Sequence, residues 1–357
     1  MPNPRPQRPV VLFLWPPADA LRERLEQGTG NAVELVFPKD REAVAETLAA
    51  WAPRAEVVVG WRPEADFLAA ADKLELIINP GAGVQHLSPL LLTHNETRAR
   101  PITLVNGHGN SYFTAQGAVA LLLALCNRVV LHHNGLCEGR WRTGDGEGAT
   151  WPLQDRRVGL LGYGAVNRWV HRFLSGFDLE FAALRRHWPQ VEREAGPGEP
   201  PHRPPSSLAR FTTEQLPEFL DDVDTVVTAL PLTPQTEGML DAEALRRLGP
   251  RGLLVHTARG PIADEAALYE TLAEGRILGA AIDVWWDYAP QPDAQGRRYP
   301  YDAQRHPFHE LPNVVLSPHR AASPFGDLGR WEEVVENLRR FAANEPLLNV
   351  VDLEHGY

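Results

Sequence analysis

The chain has 357 residues, 43% of them hydrophobic, with 35 Lys plus Arg against 46 Asp plus Glu and a net charge of −11. That length suits two ordinary domains, and the acid excess argues against nucleic acid or an anionic membrane as the main partner. The cysteines, Cys126 and Cys137 alone, offer no disulfide framework and read as packing residues of a cytoplasmic protein. The Pro-rich opening Met1–Pro6 reads as a frayed arm. Val10–Trp15, too short to cross a bilayer, reads as the first buried strand. Helix-like Ala18–Gln27, Val33–Phe37, helix-like Arg41–Trp51, Val57–Val59, Ala65–Asp72, Leu76–Ile78 and Ile102–Val105 follow. Strands alternating with helices predict a parallel sheet covered on both faces.

From Ser111 to about Cys137 the chain is apolar nearly all round, which predicts a buried helix. Arg140–Thr150 is polar and Gly-rich, a loop. Strands then resume at Val158–Leu161, Phe181–Leu184, Thr225–Thr228, Leu253–His256, Ala280–Asp283 and Val314–Leu316. Trp188–Pro205 is a Pro-, Gly- and Glu-rich loop, and Tyr288–His309 is a second long irregular segment of the kind that often carries function. The last helix is predicted over about Gly326–Asn344.

The most telling segment is Arg157-Val-Gly-Leu-Leu-Gly162-Tyr-Gly164-Ala-Val-Asn167, a buried strand entering a glycine turn and a helix. Gly162 makes the turn, Gly164 lets backbone N–H groups approach a pyrophosphate, and the helix from Ala165 and Val166 aims its positive end at that anion. Tyr163 lies between the glycines. Asn167 stands where the fingerprint has a third glycine, so the helix–strand fit is expected to be less standard. The next strand ends in Arg185-Arg186, where an NAD site wants a carboxylate for the ribose hydroxyls. Two guanidiniums there suit a 2′-phosphate, so NADP(H) is the expected cofactor and NAD(H) the lesser one.

Three further segments fall at carboxyl ends of predicted strands, where ligands bind in a parallel sheet: Thr257-Ala258-Arg259-Gly260, Ala281-Ile-Asp283-Val284 and Ser317-Pro-His319-Arg320. Hydride transfer to a 2-oxo acid needs a cation for its carboxylate and carbonyl, and a proton donor. Arg259 suits the first need and His319 the second. Backbone N–H groups of Gly81-Ala82-Gly83 can hold a carboxylate because glycines permit close approach. No metal site is assigned.

Together Gly81-Ala-Gly-Val84, Gly162-x-Gly164, Leu230-Pro231-Leu-Thr-Pro234, Thr257-Ala-Arg-Gly260, Asp283-Val284 and Ser317-Pro-His319 resemble the D-isomer-specific 2-hydroxyacid dehydrogenase family over nearly the whole chain. The resemblance implies two doubly wound parallel-sheet domains, a Rossmann-type cofactor domain inserted in a flavodoxin-like substrate domain. Their bounds would be 1–107 plus 320–357 for the substrate domain and 108–319 for the cofactor domain. It implies Arg259 as the substrate-binding arginine, His319 as acid/base, Asp283 near the nicotinamide carboxamide, and a homodimer joined through the cofactor domains. The family's usual catalytic Glu falls at Tyr288, with Asp287 beside it. A formate dehydrogenase branch also lacks that Glu, and Asn110-Ser111 resembles its substrate-contacting Asn. The expected activity is reduction of a small 2-oxo acid such as glyoxylate or hydroxypyruvate. A formate-using enzyme, or a cofactor-binding regulator with weak catalysis, is the alternative.

Overall fold

The computed structural model describes residues 5, 7–141, 148–188, 207–326 and 329–357. The predicted arm apart from Arg5, most of the Trp188–Pro205 loop, the middle of the Arg140–Thr150 loop and part of the approach to the last helix lie outside these residues. Two compact units divide the chain. Met1–Asn110 and Phe325–Tyr357 contribute to one, and the described residues from Ser111 to Pro324 form the other, so the chain crosses at 110/111 and 324/325.

The first unit is a five-stranded sheet of β1 (Val10–Phe13), β2 (Glu34–Val36), β3 (Val57–Val59), β4 (Leu76–Asn79) and β5 (Thr103–Asn106), ordered β2-β1-β3-β4-β5 and wholly parallel. That is the flavodoxin-like order. Alternate residues serve opposite faces, as the two-residue strand period requires. Val10 and Leu12 enter one apolar cluster with Leu68, Leu87 and Leu91. Val11 and Phe13 enter the other with Leu25 and the final helix's Val334, Leu338 and Phe341. Full burial of such a side chain stabilises by about 1.5–3 kcal/mol, which is why these strands read as unbroken apolar runs.

The second unit holds seven strands: β6 (Arg157–Leu161), β7 (Glu180–Leu184), β8 (Ala209–Phe211), β9 (Thr225–Thr228), β10 (Leu253–His256), β11 (Gly279–Ile282) and β12 (Val314–Leu316). Their order is β12-β11-β10-β9-β6-β7-β8, again wholly parallel, with the strand order reversing beside β6. Such a reversal is where a doubly wound sheet binds its ligand. The edge strand β8 is short, only partly covered, and too weakly apolar to have been legible in the sequence.

The long apolar stretch is two helices. Helix α1 (Ser111–Cys126) buries Ala115, Ala118, Leu122 and Leu125, while α2 (Val129–Cys137) leaves Val129, Val130 and Leu136 exposed. The break is at Arg128, whose φ of 51° lies in the left-handed region that ends helices. The two are bent by 64°, and no single helix among the described residues is long and apolar enough to cross a membrane. The Tyr288–His309 segment is exposed over most of its first half and packed in its second. Phe308 and Tyr301 are buried against Trp285, Trp286 and Tyr269, and Glu265 accepts from Asp302 N–H at 2.7 Å.

Candidate active site

The glycine turn leaves β6 with Gly162 at φ +85°, and a Cβ there would lie 2.5 Å from the Ala229 carbonyl oxygen. Only glycine meets both constraints. Gly164 opens α3 (Ala165–Leu174), with nothing within 4 Å of the position its Cβ would take. The turn therefore presents exposed backbone at a helix N-terminus, which fits a pyrophosphate. Asn167, where a less standard helix–strand fit was expected, bridges helix and strand with its side chain. It is fully buried, and its Nδ2 donates to Gly162 O at 2.7 Å, Val227 O at 3.0 Å and Leu161 O at 3.3 Å. One amide thus joins the helix to β6, the turn and β9.

Leu230 and Pro231 follow β9 beside that turn. Ala229 N–H donates to Leu161 O at 2.9 Å, and Thr236 Oγ donates to Pro231 O at 2.7 Å. Tyr163 is buried and its hydroxyl meets His171 Nδ1 at 2.9 Å. Burial holds His171 down to about 4, so the imidazole is neutral there. Arg185 and Arg186 stand where β7 ends. Gly162 N–H donates to Leu184 O at 2.9 Å, which sets the arginine pair directly after the strand that flanks the turn. The Arg185 guanidinium lies 5.5 Å from the Trp188 ring. Gly162–Val166 thus supply a glycine cradle and a helix start suited to a dinucleotide, while Leu230 and Pro231 follow β9, Thr257 and Ala258 follow β10 and Asp283 follows β11.

The chemistry-bearing residues gather at the ends of β10, β11 and β12. Arg259 follows β10 in extended backbone (φ −147°, ψ 137°), and its Nη1 donates to Ala258 O at 2.6 Å. Gly260 next to it is obligatory, since a Cβ would fall 2.1 Å from the Trp285 carbonyl oxygen. His319 has φ 56°, a conformation that costs a non-glycine residue about 1–3 kcal/mol and survives only when its surroundings impose it. They do so through Asp283. This buried carboxylate accepts from Ser317 Oγ, from Arg320 N–H at 2.7 Å and from Ala321 N–H at 3.1 Å. Trp285 adds an indole N–H bond to Ser317 O at 2.9 Å. Asp283, expected beside the nicotinamide, has both carboxylate oxygens engaged by the His319 loop.

The partner of His319 is Tyr288, whose hydroxyl lies 2.8 Å from Nδ1. Asp287 does not join them. Its Oδ1 accepts from Ala289 N–H at 2.8 Å and closes the following turn. Although Tyr288 is 57% exposed, its hydroxyl is turned in toward His319 and the Trp285 N–H. Desolvation there raises the phenol above 10, with the Asp283 charge adding to it, so the phenol stays neutral. Desolvation lowers His319 below 6.5, and the Arg259 and Arg320 charges lower it further against Asp283. Burial also lowers Arg259 from its ordinary value, yet its guanidinium remains cationic at neutral pH.

Ala82 and Gly83 belong to the first unit. Asn79 Nδ2 donates to Gly81 O and, at 3.2 Å, to Gly83 O, while Asn106 Nδ2 donates to Ala82 O at 2.8 Å. These buried asparagines face one another across the ends of β4 and β5 and turn the loop's carbonyls inward. Among the described residues no acceptor takes the N–H of Ala82 or Gly83. Asn110 is the last residue of the first unit, in the turn that enters α1. Asn79 and Asn106 had not been singled out, and the signal was present: each is an amide closing an apolar strand, where ligand loops begin.

Comparison with known proteins gives the family and the fold. The family described as "D-isomer specific 2-hydroxyacid dehydrogenase, NAD binding domain" matches residues 119–321. A glyoxylate reductase of Korarchaeum cryptofilum is 30% identical over 303 residues, covering 82% of this chain and 80% of the relative. A D-3-phosphoglycerate dehydrogenase of Mycobacterium bovis is 28% identical over 357 residues, 98% of this chain but 60% of that longer protein. Among solved structures, a D-isomer specific 2-hydroxyacid dehydrogenase from Xanthobacter autotrophicus Py2, in complex with NADPH and MES, superposes with a TM-score of 0.74 at 26% identity, covering 98% of this chain and 100% of that one. An NADPH-dependent glyoxylate/hydroxypyruvate reductase from Sinorhizobium meliloti shares the fold, with a TM-score of 0.71 at 24% identity and 98% of each chain covered. The chain belongs to the D-isomer specific 2-hydroxyacid dehydrogenase family. It is an NAD(P)-dependent oxidoreductase of 2-hydroxy acids.

Proposed function

We propose that the protein reduces a small 2-oxo acid, glyoxylate or hydroxypyruvate in kind, with NADPH as the preferred donor. One observation supports this reading: Arg259 and His319 follow β10 and β12, the strands on either side of β11 in the sheet whose β6 ends in the glycine turn, and His319 Nδ1 is occupied by Tyr288. With the dinucleotide's pyrophosphate held at the turn, its nicotinamide would supply the hydride. Arg259 binds the substrate carboxylate and polarises the carbonyl. His319 delivers the proton from Nε2, the ring nitrogen that Tyr288 leaves open. Arg185 and Arg186 hold the 2′-phosphate, where a charge-assisted bond is worth about 1.5–3 kcal/mol. The NADPH-bound relative supports that preference.

The working form is proposed to be a cytoplasmic homodimer joined through the second unit. Support comes from α2, whose Val129 and Leu136 are 53% and 57% exposed, together with Trp141 at 73%. Sedimentation as a monomer would remove that part of the proposal. The activity is tested by steady-state reduction of glyoxylate, hydroxypyruvate and pyruvate with NADPH and with NADH. At least about tenfold higher kcat/KM with NADPH is expected. Equal use of both cofactors, or no turnover of any 2-oxo acid, overturns the reading.

A further inference from the structure

His256 is fully buried at the end of β10, three residues before Arg259, and the reaction makes no use of it. Its ring touches two polar partners. Nδ1 lies 2.8 Å from Thr228 Oγ, and Nε2 lies 3.3 Å from the Gly260 carbonyl oxygen. Thr228 Oγ in turn accepts from Thr257 N–H at 3.2 Å, and Thr257 Oγ donates to Thr228 O at 2.8 Å.

The shorter contacts admit one arrangement of hydrogens, the Thr228 hydroxyl having its other acceptor, Val255 O, at 3.5 Å against 2.8 Å to Nδ1. A carbonyl cannot donate, so Nε2 must carry the proton that bonds Gly260 O. Nδ1 is then an acceptor, and it takes the Thr228 hydroxyl hydrogen. The Thr228 oxygen is left to receive Thr257 N–H. The opposite tautomer would set a lone pair of Nε2 against the Gly260 carbonyl. Burial holds the imidazole neutral, down to about 4, so the arrangement persists across the working pH range.

The ring therefore spans from residue 256 to the carbonyl of residue 260 and closes a loop around Arg259. From the other side the Trp285 carbonyl sits where a Gly260 Cβ would be. We propose that His256 is a positioning residue, a neutral hydrogen-bond relay from Thr228 to Gly260 that fixes the backbone carrying Arg259 in its substrate-binding conformation. This rests on Arg259 binding the substrate carboxylate.

The test uses the full chain and measures KM for glyoxylate, kcat, the Kd of NADPH by fluorescence, and Tm. His256→Leu removes both bonds, and His256→Gln restores a donor that can reach Gly260 O. With each lost bond worth about 1 kcal/mol, His256→Leu is expected to raise KM about tenfold or more while the Kd of NADPH stays within about twofold. His256→Gln is expected to recover most of that loss. A KM within about twofold of the parent for His256→Leu, or a His256→Gln no better than His256→Leu, overturns the proposal. If His256→Leu fails to fold, Thr228→Val decides: a KM raised about threefold with unchanged NADPH affinity supports the relay, and an unchanged KM overturns it. Arg259→Ala separates the two levels. If it too is near normal, the site assignment falls. If it is crippled while His256→Leu is normal, the relay alone falls.

Discussion

The two sheets end in polar loops of opposite construction. In the first unit the groups proposed to meet an anion are backbone N–H groups of Ala82 and Gly83, and buried Asn79 and Asn106 orient their loop by donating to its carbonyls. In the second unit the groups proposed to work are side chains, Arg259, Tyr288 and His319, and the buried residues behind them are Asp283 and His256. A backbone site cannot be erased by substituting its own residues and is vulnerable only through its supports. A side-chain site is vulnerable at both levels.

That contrast orders the expected effects. Arg259→Ala should cost the most, about 10²–10⁴ in kcat/KM, because it removes two or so charge-assisted bonds from ground and transition states alike. His319→Gln should lower kcat by about 10²–10⁴ with a smaller change in KM. Near-normal steady-state kinetics in either variant would show that the side chains are misassigned. Arg185→Asp should reverse the cofactor preference and leave substrate KM alone, as read from paired NADPH and NADH titrations.

The pH dependence is subtler. Reduction requires protonated His319, and since His319 is lowered below 6.5, kcat/KM for reduction should fade as pH rises through a value under 6.5. Tyr288→Glu would place a carboxylate at Nδ1 and move that limb to higher pH, whereas an unmoved profile would remove Tyr288 from the site. The smallest effects belong to the first unit. Ala82→Ser should leave KM nearly unchanged, while Asn106→Leu should raise it by about tenfold through loss of the Ala82 carbonyl bond. A larger effect from Ala82→Ser than from Asn106→Leu would reverse the comparison.

Much of this was legible because parallel strands buried on both faces write themselves as apolar runs, and ligand residues cluster just beyond them. Gly162, Arg259, Asp283 and His319 were readable for that reason. The supports were not. Nothing in the string says that Asn167 donates three ways, that Asp283 holds the His319 loop, or that His256 pairs with Thr228, residues 28 apart in sequence. Such bonds depend on strand register, which local pattern leaves open. Tyr288 against Asp287 was a choice between neighbours, and the turn closed by Ala289 N–H separates them. The polar pair Asn127-Arg128 was visible as an interruption of the apolar run, but a polar pair alone does not say that the backbone turns left-handed and ends the helix there.

The final helix, Glu332–Ala343, with Trp331 just before it, completes the first unit's core through Trp331, Val334, Val335, Leu338 and Phe341, and its Glu333 accepts from His108 and Gly109 N–H where the chain first leaves that unit. During synthesis the ribosome emits β1 to β5 long before the helix that covers them. The face bearing Val11, Phe13 and Leu25 is therefore exposed for about two hundred residues of elongation, while the continuous second unit can already fold. Nascent chains arrested near residue 324 should accordingly protect the second sheet from protease and bind a hydrophobic-surface chaperone through the first.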